Sequence, residues 1–250
     1  MFTKLGDDSL QLQTRIQRVV SDFAARAPRS RQRSIGMSEV GEECARKTSY
    51  KILDWTKTNS ITDPWASISG TAIHAWLADA FKDQFDGEEN ALFLVEHPVT
   101  IGSELTGTCD LFDLEAKMVI DHKCVGATSM KSRKKDGMTH TQRVQINLYG
   151  LGMQEKGFEV EKVALAFYPL GGRLDGLYTI VEPYNRKLAL DAIERLNDVK
   201  TLLWQLDPEI NPQNWDLIPK KSSLACSYCP WFLPYSKDGS RGCPGETESK

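Results

Sequence analysis

Two acidic residues and a lysine lie close together in a segment with the composition of paired β-strands. Asp110 lies in TGTCDLFDL, and Asp121 and Lys123 lie in MVIDHKCV. Residues i and i+2 of a strand share a face, so Asp121 and Lys123 point the same way and His122 points to the opposite side. If the strands pair, the two carboxylates approach each other and repel unless a cation lies between them. Such hard oxygen ligands suit Mg²⁺ or Mn²⁺.

A divalent ion at this place would support phosphodiester chemistry. It stabilises charge on a phosphodiester and lowers the pKa of a bound water, and Lys123 could orient that water. Spacing alone favours a simpler alternative, an ion pair between Asp121 and Lys123 at a sheet edge. The apolar pair Val119-Ile120 directly before Asp121 argues for a site, because an unpaired charge at the end of a buried strand is costly.

Two predicted helices carry further candidates. His74 lies at the margin of an apolar helical stripe and completes a metal site if that helix packs beside the sheet; the alternative is an ordinary surface or core histidine. Gln145 and Tyr149 lie four residues apart, on one helix face. An amide and a phenol can hydrogen-bond phosphate or stack a base, although a core tyrosine beside a surface amide fits equally well.

The densest basic cluster lies between these motifs, in the segment ATSMKSRKKDGMTH. It consists of Lys131, Arg133, Lys134 and Lys135. A solvated loop is the default interpretation of such a run. Beside a phosphodiester-cleaving centre, the same residues would form a flexible basic wall for DNA, and binding through them would weaken steeply with salt.

The six cysteines fall into two groups. Four are candidate metal ligands: Cys44, Cys226, Cys229 and Cys243. Four thiolates can hold a 4Fe–4S cluster or a tetrahedral zinc ion, and the spacing fits both. Either would clasp the N-terminal segment to the C-terminal segment and close a long loop. Cys109 and Cys124 alternate to the strand face opposite Asp110 and Lys123 and are expected to be buried, inert thiols.

Apolar periodicity predicts the elements that position these side chains. Helices are expected over 8–27, 45–55, from Gly70 onward, over 140–156 and over 185–206. Strands are expected over 91–101, 104–114, 117–125, 160–169 and 174–181, with Gly102-Ser103 as a two-residue hairpin connection. The strands therefore come as a group of three and a group of two, separated by a helix.

Composition limits the function classes. The chain has 250 residues, 40% hydrophobic and 26% charged, which is typical of a packed core. Its net charge of −3 excludes a histone-like protein, but not a local basic groove. No apolar run reaches the roughly 18–20 residues that cross a bilayer, and the N-terminal segment lacks a secretory signal. We therefore expect a cytoplasmic protein without a membrane partner, whose cysteines bind metal or pack rather than form disulfides.

Four short motifs, in this order, resemble those of the RecB-like branch of the PD-(D/E)XK nuclease superfamily. They are GTAIH (70–74), GTCD (107–110), IDHK (120–123) and QINLY (145–149). The resemblance implies an α/β fold with a restriction-endonuclease-like core, a mixed central sheet flanked by helices. It also implies roles: His74, Asp110 and Asp121 as metal ligands assisted by the backbone carbonyl of His122, Lys123 as the catalytic lysine, and Gln145 and Tyr149 as DNA contacts.

The cysteine-bearing segments extend the resemblance. MSEVGEECAR (37–46), ACSYCPWF and RGCPG resemble segments of iron–sulfur members, which include CRISPR-associated exonucleases and AddB-type subunits. This implies a structural 4Fe–4S cluster, with zinc as the alternative, in a metal-clasped helical lobe. The expected domains are an N-terminal helical segment (1–69) with one cluster cysteine, a nuclease core (70–184), and a long helix with the Cys-rich segment (185–250).

The resemblance implies a function on DNA. We expect a Mg²⁺- or Mn²⁺-dependent DNA nuclease, an exonuclease acting on single-stranded ends in recombination, repair, replication or phage DNA processing. The alternatives are a non-catalytic DNA-binding subunit of a recombination or CRISPR-adaptation complex, a zinc-stabilised structure-specific endonuclease, and a zinc-stabilised interaction protein. Because the chain lacks a G-x-x-x-x-G-K-[ST] motif, any unwinding of duplex DNA requires a helicase partner.

Overall fold

Five strands of the chain form one β-sheet, with helices packed against it. The computed structural model describes residues 3–26, 34–59, 63–83, 92–221 and 224–245. The helices are α1 (Thr3–Arg26), α2 (Met37–Val40), α3 (Ala45–Ile52), α4 (Trp65–Asp83), α5 (Ala127–Asp136), α6 (His140–Glu155) and α7 (Arg186–Leu206). The strands are β1 (Phe93–Ile101), β2 (Leu105–Asp113), β3 (Met118–Val125), β4 (Lys162–Pro169) and β5 (Tyr178–Pro183). Short 3₁₀ helices cover Leu174–Gly176, Pro212–Leu217 and Leu224–Tyr228.

The sheet is mixed, with the strand order β1-β2-β3-β4-β5. All neighbouring pairs are antiparallel except β3 and β4, which are parallel. A parallel pair needs a crossover connection, and α5 and α6 supply it. The side chains of Asp121 and His122 alternate across β3: Asp121 bonds Gln145 on α6, and His122 stacks on Phe81 of α4. Helices α4 and α6 therefore cover opposite faces, and the predicted α/β class with a mixed sheet flanked by helices is confirmed.

Helix α6 is the centre of the main core. It is buried continuously from Val144 to Met153 because it packs against the sheet on one side and against α2 and α7 on the other. Gly152 permits this close approach, since a Cβ atom there would lie 2.8 Å from the Cβ of Val99. This burial fixes the position of the side chains that α6 presents to the end of β3.

A second apolar cluster joins α3 and α7 to the C-terminal segment. Its buried members are Tyr50, Leu203, Trp215, Ile218 and Trp231. Tyr50 and Trp215 stack with their ring centroids 4.2 Å apart, and the Trp55 indole N–H donates to the carbonyl of Ser240 at 2.7 Å. The N-terminal segment around α3 and the C-terminal segment therefore pack together through ordinary side-chain contacts.

Arg46 supports this second cluster, and its removal is expected to destabilise the protein. The buried guanidinium donates to the carbonyl of Ile218 at 3.0 and 2.9 Å and to that of Asp216 at 3.1 Å. Arg46→Met leaves these carbonyls unpaired, so we expect a loss of about 2–4 kcal/mol in urea unfolding. Arg173→Met, which removes an exposed ion pair, should cost less than about 0.5 kcal/mol. Equal losses in the two variants would contradict this role for Arg46.

Several predicted boundaries are wrong. Helix α4 begins at Trp65, so Gly70 lies inside it rather than before it. The basic segment expected to be a loop is helix α5, which starts after Gly126 and ends before Gly137. The sequence between those glycines contains no Gly or Pro and several good helix formers. The β1–β2 connection has three residues, Gly102 to Glu104, with Gly102 at φ 58°, not two.

Helix α1 confirms the amphipathic helix expected near the N-terminus. Its apolar residues Leu12, Ile16, Val19 and Phe23 are largely exposed, and none of these four lines the cleft described below. None of the described helices is long and apolar enough to span a bilayer.

Candidate active site

An open cleft of about 1020 Å³ lies between α4, the first three strands and α6. Seven predicted residues line it: His74, Asp110, Asp121, His122, Lys123, Gln145 and Tyr149. These residues come from separate elements of the chain, and the fold brings them together. The four basic residues of α5 do not belong to this lining.

Asp121 is the most deeply buried acidic residue of the cleft, 1% exposed. One carboxylate oxygen accepts from the Gln145 amide at 3.0 Å, and the other lies 2.5 Å from the Lys123 ammonium group. Burial raises the pKa of Asp121 to about 6, the Lys123 charge opposes the rise, and the Asp110 charge adds to it. A carboxylate in this position is stabilised by additional positive charge, such as a metal ion.

Asp110 and His74 form a second polar contact in the cleft, next to the place where the pairing of β2 with β3 begins at Leu111 and Ile120. The Asp110 carboxylate accepts the backbone N–H of His122 at 2.8 Å and lies 3.4 Å from Nδ1 of His74. Burial opposes ionisation of Asp110, but His74 and the His122 amide together lower its pKa. The hydrogen bond to Asp110 raises the pKa of His74. Helix α4 therefore packs beside the sheet with its histidine directed to the acidic residues.

The His122 side chain lies on the other face of β3, as the strand alternation predicts. Its ring stacks on Phe81 with centroids 5.8 Å apart, and its Nδ1 lies 3.3 Å from the Tyr168 hydroxyl. Burial lowers the pKa of His122 to about 4, so the ring is neutral at neutral pH. The imidazole packs against α4, whereas the resemblance implies a role only for the backbone carbonyl of His122.

Gln145 and Tyr149 face the acidic residues from α6. The Gln145 amide donates both to Asp121 and to the Tyr149 hydroxyl, the latter at 2.9 Å. Both side chains are more than nine-tenths buried. Gln145 therefore orients the Asp121 carboxylate, while direct contact of either residue with DNA stays a prediction.

Glu96 belongs to the cleft, and the sequence motifs did not indicate it. Glu96, His74 and Asp110 each offer a ligand atom, and these three atoms lie within 4.8 Å of one another. Burial and the Asp110 charge raise the pKa of Glu96. The position of Glu96 follows from the register of β1 with β2: because Val95 pairs with Leu111, Glu96 lies level with Asp110. The expected two-residue hairpin would instead place Glu96 level with Cys109.

The basic residues of α5 have contacts of their own. Arg133 donates to the carbonyl of Gly137 at 3.0 Å, and the Lys134 ammonium lies 5.6 Å from the centroid of the Tyr178 ring. Lys131, Lys134 and Lys135 are exposed. Their contact with DNA stays a prediction, and any such contact would come from a helix.

A second, smaller cavity of about 60 Å³ is lined by four cysteines. They are Cys44, Cys226, Cys229 and Cys243. Cys44 is the N-cap residue of α3, and its sulfur accepts the backbone N–H of Lys221 at 3.4 Å. Three lysines line the same cavity, namely Lys47, Lys220 and Lys221. Cys44 is far in the sequence from the other three cysteines, and the fold brings all four to one cavity. Burial raises the pKa of the Cys229 thiol, and the charge of Lys47 opposes the rise.

The other two cysteines differ from each other. Cys109 is completely buried, its sulfur contacts the Leu111 carbonyl at 3.3 Å, and burial raises the pKa of its thiol. Cys124 is only half-buried. The expectation of a buried, inert thiol therefore holds for Cys109, and Cys124 is more accessible than expected.

No protein-family model and no curated protein sequence matches this chain. Similar solved structures include a phage-related exonuclease from Haemophilus somnus 129PT, with 13% identity, a TM-score of 0.47, and coverage of 71% of this chain and 96% of that one. They also include the alkaline exonuclease LHK-Exo from Laribacter hongkongensis, with 9% identity, a TM-score of 0.47, and coverage of 75% and 96%. LHK-Exo in complex with dAMP has 12% identity, a TM-score of 0.48, and coverage of 73% and 92%. Identities this low concern the fold alone.

Proposed function

We propose that this protein is a Mg²⁺- or Mn²⁺-dependent DNA nuclease, an exonuclease that acts on single-stranded ends in recombination, repair, replication or phage DNA processing. The observation that carries the proposal is the convergence of His74, Asp110, Asp121 and Lys123 in one open cleft. Two buried carboxylates, an imidazole and an ammonium group are the donors that metal-assisted phosphodiester hydrolysis requires.

The chemistry of the proposed donors, two carboxylates and an imidazole, suits a divalent ion. Among the described residues the donor atoms that lie within 4.8 Å of one another are those of His74, Glu96 and Asp110, and Asp121 is outside this group. His74, Asp110 and Asp121, with the backbone carbonyl of His122, would hold the divalent ion, and the ion would stabilise phosphate charge and lower the pKa of a bound water. Two neighbouring side chains position the Asp121 carboxylate. The Lys123 ammonium pairs with Asp121, and the Lys123 side chain is a quarter exposed to the cleft. The ammonium can therefore also contact a phosphate oxygen. Gln145 fixes the orientation of Asp121.

DNA would reach the cleft along basic side chains. We propose that Lys131, Arg133, Lys134 and Lys135 on α5 contact the phosphate backbone, with Gln145 and Tyr149 nearer the scissile bond. Such contacts release counterions, so binding should weaken steeply as salt increases. On duplex substrates a helicase or a recombination or CRISPR-adaptation complex would act as the partner.

The four-cysteine cavity would hold a structural 4Fe–4S cluster, with zinc as the alternative. The proposal is supported by the convergence of four cysteines and three lysines on one cavity. Four thiolates can hold either group, and the resemblance of the cysteine-bearing segments to those of iron–sulfur members favours the cluster.

The proposed nuclease activity is tested with purified protein, Mg²⁺ or Mn²⁺, and single- and double-stranded oligonucleotides labelled at the 5′ or 3′ end. We expect stepwise degradation of the single strands. Lys123→Met should slow cleavage by about 10²-fold or more, because an ammonium group beside the reacting phosphate is lost. Lys82→Met removes another lysine that lines the cleft and should have a small effect. DNA retained in a gel without cleavage under any divalent metal would contradict the proposal and favour a non-catalytic DNA-binding subunit.

A further inference from the structure

We propose that Glu96 is a ligand of a divalent cation in this cleft, together with His74 and Asp110. Glu96 lies in none of the four motifs. The inference rests on the proposed function, because it adds a ligand to the same cleft and assigns a role to a strand, β1, that the motifs leave out.

Glu96 lies close to two of the proposed ligands. The three ligand atoms of His74, Glu96 and Asp110 lie within 4.8 Å of one another. An ion with bonds of about 2.1 Å holds its ligands at most about 4.2 Å apart. The three donors are therefore close to the spacing that one cation imposes.

The backbone of β1 is irregular at Glu96. Glu96 has a φ of 48°, in the left-handed region that costs free energy for any residue with a Cβ atom. The ladder is regular on both sides, where Val95 pairs with Leu111 and His97 pairs with Cys109. A local irregularity between two regular pairs redirects one side chain, and such strained positions cluster at binding and catalytic sites.

The carboxylate of Asp110 lies close to Glu96. Burial and the Asp110 charge raise the pKa of Glu96, and the charges of His74 and Lys82 only partly oppose this rise. Two neighbouring carboxylates repel unless a cation lies between them. A set of one imidazole and two carboxylates suits Mn²⁺, because it combines a nitrogen donor with hard oxygens.

The test is a Mn²⁺ titration followed by electron paramagnetic resonance of the free ion. Glu96→Gln should weaken Mn²⁺ binding by about tenfold or more, because a ligand oxygen is lost. Asp79→Asn is the matched control: Asp79 lines the same cleft but is outside the group of three, so the loss should stay below about threefold. Binding by Glu96→Gln within about threefold of wild type, or equal weakening in both variants, overturns the inference.

The outcomes separate this inference from the proposed function. If the wild-type protein binds Mn²⁺ through Glu96 but cleaves no DNA, the nuclease proposal fails and the ligand assignment stands. If the wild type cleaves DNA and Glu96→Gln binds Mn²⁺ normally, the ligand assignment fails and the nuclease proposal stands. Glu96→Gly serves if Glu96→Gln does not fold, since glycine accepts the left-handed backbone without cost and also removes the carboxylate.

Discussion

Replacement of Asp121 by asparagine is expected to abolish DNA cleavage and leave the protein folded. Loss of a carboxylate ligand removes metal-assisted charge stabilisation worth several kcal/mol, which corresponds to a rate decrease of about 10³-fold or more. The asparagine oxygen can still accept the hydrogen bond that Gln145 donates to Asp121. Single-turnover cleavage of an end-labelled single strand measures the effect.

The Tm of Asp121→Asn distinguishes loss of a metal ligand from loss of the fold. Burial raises the pKa of Asp121 from an ordinary 3.8 to about 6. A carboxyl whose pKa is higher in the folded than in the unfolded state destabilises the fold above its folded pKa, and not below its unfolded pKa. At neutral pH the asparagine removes this cost, so the Tm should equal or exceed that of the wild type. Asp113→Asn, outside the cleft, should keep full activity. Cleavage that survives in Asp121→Asn contradicts the assigned role.

Substitution of a cluster cysteine is expected to have the second largest effect, on stability and colour. In Cys226→Ser we expect loss of the absorbance near ~400 nm that iron–sulfur proteins show. The Tm should fall by about 10 °C or more, because the proposed metal group would no longer join α3 to the C-terminal segment. Thermal unfolding and metal analysis of anaerobically purified protein measure both effects.

Cys124→Ser is the control for this experiment, because Cys124 is half-buried and does not line the four-cysteine cavity. Its colour and Tm should stay close to those of the wild type. A colourless wild-type protein with one zinc per chain contradicts the iron–sulfur assignment and supports the zinc alternative. A Tm that does not change in Cys226→Ser contradicts the metal clasp itself.

The sequence was sufficient to predict the residues whose geometry depends on local periodicity. Asp121, His122 and Lys123 alternate as a strand requires, and Gln145 and Tyr149 share a helix face with one hydrogen bond between them. These relations follow from the side-chain periods of a strand, 2.0 residues, and of a helix, 3.6 residues, which tertiary contacts do not change. The grouping of the strands was predicted for the same reason.

Relations that depend on exact register or on distant contacts were not predictable. A hairpin one residue longer than expected places Glu96, not Val95, opposite Asp110, because one step of register moves a side chain to the other face. The contact of Arg46 with carbonyl groups 170 and 172 residues away has no local signature. The basic segment was misassigned because charge indicates solvent exposure, whereas lysine and arginine are also good helix formers.

The proposed divalent ion joins α4 to β2 and β3 in the cleft. Anomalous diffraction from crystals soaked in Mn²⁺ tests this arrangement most directly. We predict an anomalous peak within about 2.0–2.3 Å of carboxylate oxygens of both Asp110 and Asp121. Manganese bound only elsewhere on the protein, at a concentration that supports DNA cleavage, would contradict the account.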